Sequence, residues 1–323
     1  FGGGTPSLLE EAALGSLLDS LRRRLPIAAD AQLFFEANPE DIDHDALRAW
    51  RRLGVSYLSL GVQSFDDDAL AFLGRRHDGE QARTAARDAC RAGFDTVSID
   101  LIYALPKQSE AAWRRQLDLA IELGSGHLSC YQLTIEPATP FGKQFDRGEL
   151  TPPPQTHQAD LFHLTHTHLD AAGYRGYEVS NFARSDAHRS RHNQKYWTGR
   201  AYLGIGPSAH SFDGHNTRWW NDRHLERWRR RLLAGERPIA GEEELDERER
   251  AVERLILGFR TRDGIDLAVF RDHTGIDLTT TDAEVIDEAI GAGHLELVQG
   301  RLRPTLIGMA IADTLVARFT LDP

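Results

Sequence analysis

The chain has 323 residues, of which 41% are hydrophobic, and this content supports one large domain and a smaller one. Its net charge of −11, from 49 acidic and 38 basic residues, argues against a broad surface for nucleic acid. No apolar run reaches the roughly 18 residues of a membrane span, and the first residues lack the pattern of a signal peptide. The sequence therefore predicts a soluble protein without a membrane span.

The N-terminal residues read as the end of a buried strand that runs into a loop, with Phe1 in the strand and Gly2–Ser7 in the loop. We therefore expect further sequence upstream of Phe1. The chain has only two cysteines, Cys90 and Cys130, and they lie far apart in sequence. A disulfide framework or a structural zinc site is not supported, and a reducing cytoplasm is favoured.

Short apolar runs rich in β-formers alternate with helical patterns in the first 235 residues. The predicted strands are Leu33 to Ala37, Tyr57 to Val62, Thr96 to Leu105, His127 to Ile135 and Gly176 to Phe182. These runs show little polar alternation, which predicts strands buried on both faces. The helices predicted between them include Gln81 to Gly93, Ser109 to Gly124 and Ala159 to Ala172. This order predicts an α/β fold with a parallel sheet or (β/α) barrel.

Polar residues and glycines follow successive predicted strands. They are Gly2 to Gly4, Glu36 and Asn38, Gln63, Asp100, Gln132 and Thr134, and Asn181. The carboxyl ends of the strands of a (β/α) barrel meet at one rim, where ligands bind. At any one position the alternative is an ordinary residue at the start of a loop. Polar residues or glycines at the ends of six successive strands favour a ligand site at that rim.

The C-terminal part has a different pattern. Helices are predicted at Glu242 to Phe259, at Asp266 to His273, at Ala283 to Ala292 and through Phe319, with a hairpin of Leu295 to Val298 and Arg301 to Pro304. Three helices and a hairpin are typical of a winged-helix domain, so we predict domains at residues 1–235 and 236–323. Residues 240–323 hold 18 Asp and Glu against 9 Lys and Arg, which favours packing or partner docking over DNA binding. We interpret the segment with Trp219, Trp220 and Trp228 as an amphipathic surface helix, with porphyrin contact as the alternative.

Five motifs occur in a fixed order. They are GGGTPS at Gly2–Ser7, EANPE at Glu36–Glu40, GVQSF at Gly61–Phe65, RRH at Arg75–His77 and DLIYALP at Asp100–Pro106. Together they resemble the radical S-adenosylmethionine (SAM) superfamily of coproporphyrinogen dehydrogenases and heme chaperones. The resemblance covers nearly the whole chain and implies a partial (β/α) radical SAM barrel followed by the C-terminal helical domain.

The resemblance also implies which residues bind SAM. They are Gly2, Gly3, Gly4, Thr5, Glu36, Gln63, Arg75, Asp100 and Thr134. The glycine loop would receive the methionine end of SAM, since no Cβ keeps its backbone away from a ligand. The carboxylates would accept hydrogen bonds from ribose hydroxyls or the ammonium group, and Arg75 would pair with the SAM carboxylate.

In this superfamily a [4Fe-4S] cluster is held by three cysteines of a CxxxCxxC loop. Cys90 falls on a predicted helix and Cys130 in a predicted strand, so neither replaces that loop. The resemblance places the loop upstream of Phe1. We expect no radical chemistry from the chain as it stands.

A second motif separates two branches of the superfamily. Residues His192–Trp197 read HNQKYW and match the HNxxYW pattern of the heme-chaperone branch, which the dehydrogenase branch generally lacks. The resemblance implies a heme site of His192, Asn193, Tyr196 and Trp197. A neutral imidazole ligates heme iron, aromatic rings cover its faces, and Arg189, Arg191 and Lys195 would meet the propionates. A structural cluster that caps the barrel is the alternative.

The resemblance implies a heme-binding chaperone on a radical SAM scaffold that delivers heme to acceptor proteins. The alternative is an enzyme, an oxygen-independent coproporphyrinogen III dehydrogenase that converts propionates to vinyl groups. A third and weaker interpretation is a (β/α) barrel enzyme without SAM. The expected partners are heme or porphyrin and heme-acceptor proteins, and a homodimer is left open.

Overall fold

A computed structural model describes residues 1–321 of the chain. These residues form two compact units, with the boundary between Ser190 and Arg191. None of the helices in the described part of the chain is both long enough and apolar enough to cross a membrane.

The first unit is built on a six-stranded sheet. Its strands are β1 Phe34–Ala37, β2 Tyr57–Gln63, β3 Thr96–Tyr103, β4 His127–Gln132, β5 Arg175–Gly176 and β6 Asn181–Ala183. The strand order is β1-β2-β3-β4-β6-β5, with β1 to β4 parallel and the last two pairings antiparallel. In the described residues β1 and β5 are the edges of the sheet, which does not close into a barrel. The predicted α/β fold with a partial barrel is therefore confirmed.

Helices cover one face of this sheet. They are α1 Glu11–Arg24, α2 His44–Leu53, α4 Gly79–Arg91, α5 Glu110–Leu123 and α7 Gln155–Ala171. Two short helices, α3 Asp67–Phe72 and α6 Pro140–Asp146, contact each other through the stacked rings of Phe72 and Phe141. Ser109 caps α5 as predicted, since its hydroxyl accepts from the Ala112 N–H at 3.2 Å. Ser7 lies in a 3₁₀ turn before α1, and its hydroxyl donates to Asp41 at 2.6 Å.

The two faces of the parallel strands differ in polarity. One face is apolar and packs with the helices, as Leu58, Ile99 and Leu128 show in a single buried cluster with α4 and α5. The opposite face presents buried serines and a histidine, including Ser98 and His127. Both faces are buried, as predicted, but the polar alternation is stronger than the sequence pattern suggested. The ligand site therefore lies above a polar interior.

The predicted fifth strand, Gly176 to Phe182, is wrong as a single element. It is a hairpin of β5 and β6, closed by the Tyr177 N–H, which donates to the Asn181 carbonyl at 3.1 Å. The Glu178 carboxylate also accepts from the Ser180 N–H at 3.2 Å and stabilises the turn. A side chain thus supplies the turn signal that glycine or proline usually gives.

The second unit begins with a short helix and a small antiparallel sheet. The elements are α8 Arg191–Trp197, β7 His210–Phe212, β8 Thr217–Asn221, α9 Leu225–Leu233 and β9 Ile239–Glu244, with strand order β7-β8-β9. Trp219 and Trp220 lie in β8, so the expected amphipathic helix is limited to α9. The predicted domain boundary at 235/236 falls inside this unit, and a division there would separate β9 from β8.

The remaining elements form a helical subdomain around a second apolar core. They are α10 Glu247–Gly258, β10 Ile265–Asp266, α11 Leu267–Thr274, α12 Leu278–Thr281, α13 Ala283–Gly291, β11 Leu295–Val298, β12 Arg301–Pro304, α14 Leu306–Ala310 and α15 Ala312–Val316. The hairpin β11-β12 has the predicted bounds, and β10 pairs with β12. The helix expected from Glu242 starts at Glu247, because Asp246 forms a capping box with Glu249. The last predicted helix is instead two short helices.

Candidate functional site

A cavity lies at the carboxyl ends of β1, β2 and β3. It is lined by Gly4, Thr5, Pro6, Ser7, Glu36, Ala37, Asn38, Ser59, Gly61, Gln63, Arg75 and Asp100. Six of the predicted SAM residues belong to this set, namely Gly4, Thr5, Glu36, Gln63, Arg75 and Asp100. Segments far apart in sequence therefore meet at one site, as the strand-end argument predicted.

The glycine segment packs directly on the Glu36 carboxylate. A Cβ on Gly2 would lie 2.5 Å from Oε1 of Glu36, so any other residue at this position would displace that carboxylate. Gly3 has a left-handed φ of 78°, and its N–H bonds to Glu36. The backbone of this segment thus holds one side of the cavity and fixes the carboxylate beside it.

Two carboxyl groups face the cavity in an environment that favours their neutral form. Burial raises the pKa of Glu36, and the nearby charge of Asp100 raises it further. Burial also raises the pKa of Asp100, whereas hydroxyls that donate to it oppose this effect, including Ser59 at 2.7 Å and Ser98 at 2.8 Å. Within residues 1–321 no lysine or arginine forms an ion pair with either carboxylate. A ligand with hydroxyl or ammonium donors would supply the missing partner.

The loop with Arg75 is held in place by its two neighbours. Arg76 pairs with Glu40 at 3.0 Å, and the buried His77 ring lies 2.9 Å from the other Glu40 oxygen. Arg75 itself lines the cavity with an exposed side chain. The EANPE and RRH motifs therefore contact each other, and Glu40, Arg76 and His77 position Arg75 at the cavity.

Gly61 allows two polar side chains to approach the end of β2. A Cβ at this position would lie 2.9 Å from Nε2 of Gln63 and 3.3 Å from Oδ1 of Asn38. We expect Gly61→Ala to displace the Gln63 amide and to lower SAM affinity about fivefold, roughly the value of one hydrogen bond. Calorimetric titration with SAM checks this prediction. Gly291→Ala is the control, because its Cβ meets no atom within 4 Å. Equal affinities for both variants and the unaltered protein would contradict the prediction.

The predicted SAM residue Thr134 does not line the cavity. Thr134 is exposed, and its hydroxyl donates to the Gln132 carbonyl at 3.4 Å, so it does not join the other SAM residues.

Cys130 is buried in the apolar core, and Cys90 packs against it. Burial raises the pKa of the Cys90 thiol to about 11. Thiols in this state do not fit a [4Fe-4S] cluster, so the described residues do not hold one.

The HNQKYW segment forms α8 and an aromatic cluster within the second unit. The rings of His192 and Tyr196 meet edge to face with centroids 5.3 Å apart, and Tyr196 meets Tyr202 in the same way at 4.8 Å. Burial and the charge of Lys195 lower the pKa of His192 to about 4. At neutral pH its imidazole is therefore uncharged, which is the form that ligates metals.

The other residues expected at the heme site differ in burial and in hydrogen bonding. The indole N–H of Trp197 is buried and has no hydrogen-bond partner among the described residues. Asn193 is half-buried on the same helix. Arg189, expected near propionates, pairs with Asp186 at 3.0 Å and lies over the Tyr177 ring. The Arg189 guanidinium is thus paired with a carboxylate and an aromatic ring of the first unit.

The fold has clear counterparts among known proteins. Residues 1–120 match the profile of the radical SAM superfamily, and residues 245–311 match the HemN C-terminal domain. The solved structure of coproporphyrinogen III oxidase (HemN) from Escherichia coli, described as a radical SAM enzyme, superposes with a TM-score of 0.81. It is 22% identical, over 98% of this chain and 76% of that one, and it shows the fold. The chain is a radical SAM protein with a HemN-like architecture.

Curated relatives define the family more narrowly. The heme chaperone HemW of Mycobacterium tuberculosis H37Rv is 36% identical over 98% of this chain and 78% of its own length. HemW of Escherichia coli K12 is 38% identical over 91% and 76% of the two chains. HemW of Bacillus subtilis 168 is 31% identical over 98% and 84%. The chain belongs to the HemW family of heme chaperones.

Proposed function

We propose that this protein binds heme and delivers it to acceptor proteins, and that it binds SAM in the cavity at the strand ends. The observation on which the heme proposal rests is the uncharged His192 beside the aromatic rings of Tyr196 and Tyr202. The family supports the proposal, since the curated relatives are named heme chaperones. Two free cysteines fit a reducing compartment, and we place the protein in the cytoplasm.

In the SAM cavity each residue would have a distinct role. Asp100 and Glu36 would accept hydrogen bonds from ribose hydroxyls and the ammonium group, and these donors would favour the ionised carboxylates that burial disfavours. Arg75 would pair with the SAM carboxylate, and Gln63 would donate or accept at its amide. The backbone of Gly4 and Thr5 would border the methionine end. The described residues do not hold the cluster, so we derive no radical step from them.

At the heme segment the chain would supply an axial ligand and flat apolar surfaces. His192 would ligate the iron through a neutral ring nitrogen. Tyr196 and Trp197 would pack against the porphyrin, with the buried Trp197 N–H available for a polar contact. Lys195 and Arg191 would pair with propionates, and Asn193 would orient the ligand by hydrogen bonding.

Coproporphyrinogen III dehydrogenation is the second candidate function. It is favoured by the HemN-like fold, but a likeness at 22% identity shows the fold alone. The HNQKYW segment and relatives at 31–39% identity favour the chaperone. A chaperone would transfer heme to an acceptor protein, whereas the enzyme would form protoporphyrinogen from coproporphyrinogen III.

Heme transfer tests the proposal. We expect the full-length protein to bind heme saturably and, when mixed with an apo heme protein, to transfer it with a change in the absorbance of both. A parallel anaerobic assay with coproporphyrinogen III, SAM and a reductant should give no protoporphyrinogen. Free heme at the same concentration is the control for passive uptake. Turnover of coproporphyrinogen without heme binding would overturn the proposal in favour of the enzyme.

A further inference from the structure

A continuous chain of hydrogen bonds runs through the polar interior of the first unit and ends at the SAM cavity. The Ser98 hydroxyl donates to Oδ1 of Asp100 at 2.8 Å. The Ser98 hydroxyl oxygen also lies 2.9 Å from Nδ1 of His127. Nε2 of His127 lies 2.8 Å from the Tyr177 hydroxyl. The Ser190 N–H donates to that hydroxyl at 3.2 Å. His127 and Tyr177 do not line the cavity and had no role in the predicted site.

The direction of every bond in this chain follows from its two ends. When Asp100 is ionised its oxygens only accept, so the single proton of Ser98 points to Asp100. The Ser98 oxygen then accepts from Nδ1–H of His127. Burial lowers the pKa of His127 to about 3, so the ring is neutral and its Nε2 is an acceptor. The Tyr177 hydroxyl must therefore donate to Nε2, and it accepts from Ser190 in turn.

The ring and the hydroxyl are also fixed by packing. His127 is fully buried, and its ring meets Tyr57 at 5.7 Å and Tyr177 at 5.8 Å. The guanidinium of Arg189 lies 5.2 Å above the Tyr177 ring. Neither side chain has room to change rotamer freely, so the tautomer of His127 is set by its partners rather than by solvent.

We infer that His127 and Tyr177 are positioning residues for SAM, acting through Ser98 on Asp100. Their hydrogen bonds commit the Ser98 proton to the carboxylate. Asp100 is then held ionised and in one orientation for the ligand, although burial favours its neutral form. Without the Tyr177 hydroxyl, the proton of His127 can move to Nε2, and Ser98 then keeps only the Ser129 hydroxyl, 3.1 Å away, as a donor. The inference rests on the proposed SAM site.

A double-mutant cycle tests whether the effect passes through Asp100. We expect Tyr177→Phe to weaken SAM binding about three- to tenfold in the full-length protein, measured by calorimetric titration. In an Asp100→Asn background the same substitution should change affinity by less than about twofold, because the acceptor of the chain is already altered. Tyr174→Phe is the matched control, since it removes another buried tyrosine hydroxyl, bonded to the Ser125 carbonyl at 2.7 Å. A purely structural role for Tyr177 would give equal losses in both backgrounds and would overturn the inference.

Nitrogen NMR of the histidine side chains gives a readout that does not depend on SAM. With ¹⁵N-labelled histidine, and the His127 signal assigned by its loss in His127→Asn, we expect the Nδ1–H tautomer in the unaltered protein. Tyr177→Phe should give a mixture of tautomers. An Nε2–H tautomer in the unaltered protein would refute the relay even if SAM binds. A failure of SAM binding with the expected tautomer would instead count against the proposed function.

Discussion

Replacing Asp100 with Asn is expected to lower SAM affinity by about ten- to a hundredfold, which corresponds to about 1.5–3 kcal/mol for hydrogen bonds to a charged group. The substitution keeps the side-chain volume and removes the charge that would accept from the ligand. It also makes one of the two oxygens that serines contact into a donor. Calorimetric titration of the full-length protein with SAM measures the loss.

The control for Asp100→Asn is Asp95→Asn. Asp95 precedes β3 in the same unit and is exposed, so its change alters the net charge equally without touching the cavity. We expect SAM affinity within about twofold of the unaltered protein, since exposed charges have small effects. Equal losses in both variants would show that overall charge, and not the cavity, determines the binding of SAM.

Replacing His192 with Ala is expected to lower heme affinity at least about tenfold, by comparison with the losses seen when metal sites are altered. The physical reason is the loss of the neutral imidazole, whose low pKa keeps it available to iron at neutral pH. Heme titration followed by absorbance should also show a shifted Soret band, because the axial ligand sets the electronic state of the iron.

His273→Ala is the matched control for heme binding. His273 is an exposed histidine of α11 whose ring bonds to a carbonyl of its own helix at 2.8 Å. Its loss should leave both affinity and spectrum unchanged. If His192→Ala behaves in the same way, the aromatic cluster has a structural role and the iron ligand lies elsewhere.

The convergence of the SAM residues could be predicted because it depends on simple rules. The carboxyl ends of parallel strands lie at one edge, so Glu36, Gln63 and Asp100 were expected to meet once their strands were identified. Family motifs then gave the ligand. The structure adds that a Cβ on Gly2 or Gly61 would displace side chains at the cavity, which depends on atomic distances that no pattern reveals.

The elements that were missed depend on contacts distant in sequence or on side-chain turns. The β5-β6 hairpin has no glycine or proline in its turn, and Glu178 closes it instead. Trp219 and Trp220 pair with β9 across an intervening helix, so their strand could not be told from a helix by local pattern. His127 stands in an apolar run, where a histidine is expected to be part of the core. Its place in a hydrogen-bond chain is visible only in three dimensions.

A crystal structure of the full-length protein with SAM bound would show directly where the ligand lies. We expect the adenosyl group in the cavity bounded by Glu36, Gln63 and Asp100, with the methionine end beside the Gly4 backbone. An adenosyl group bound elsewhere, with this cavity filled only by solvent, would contradict this expectation.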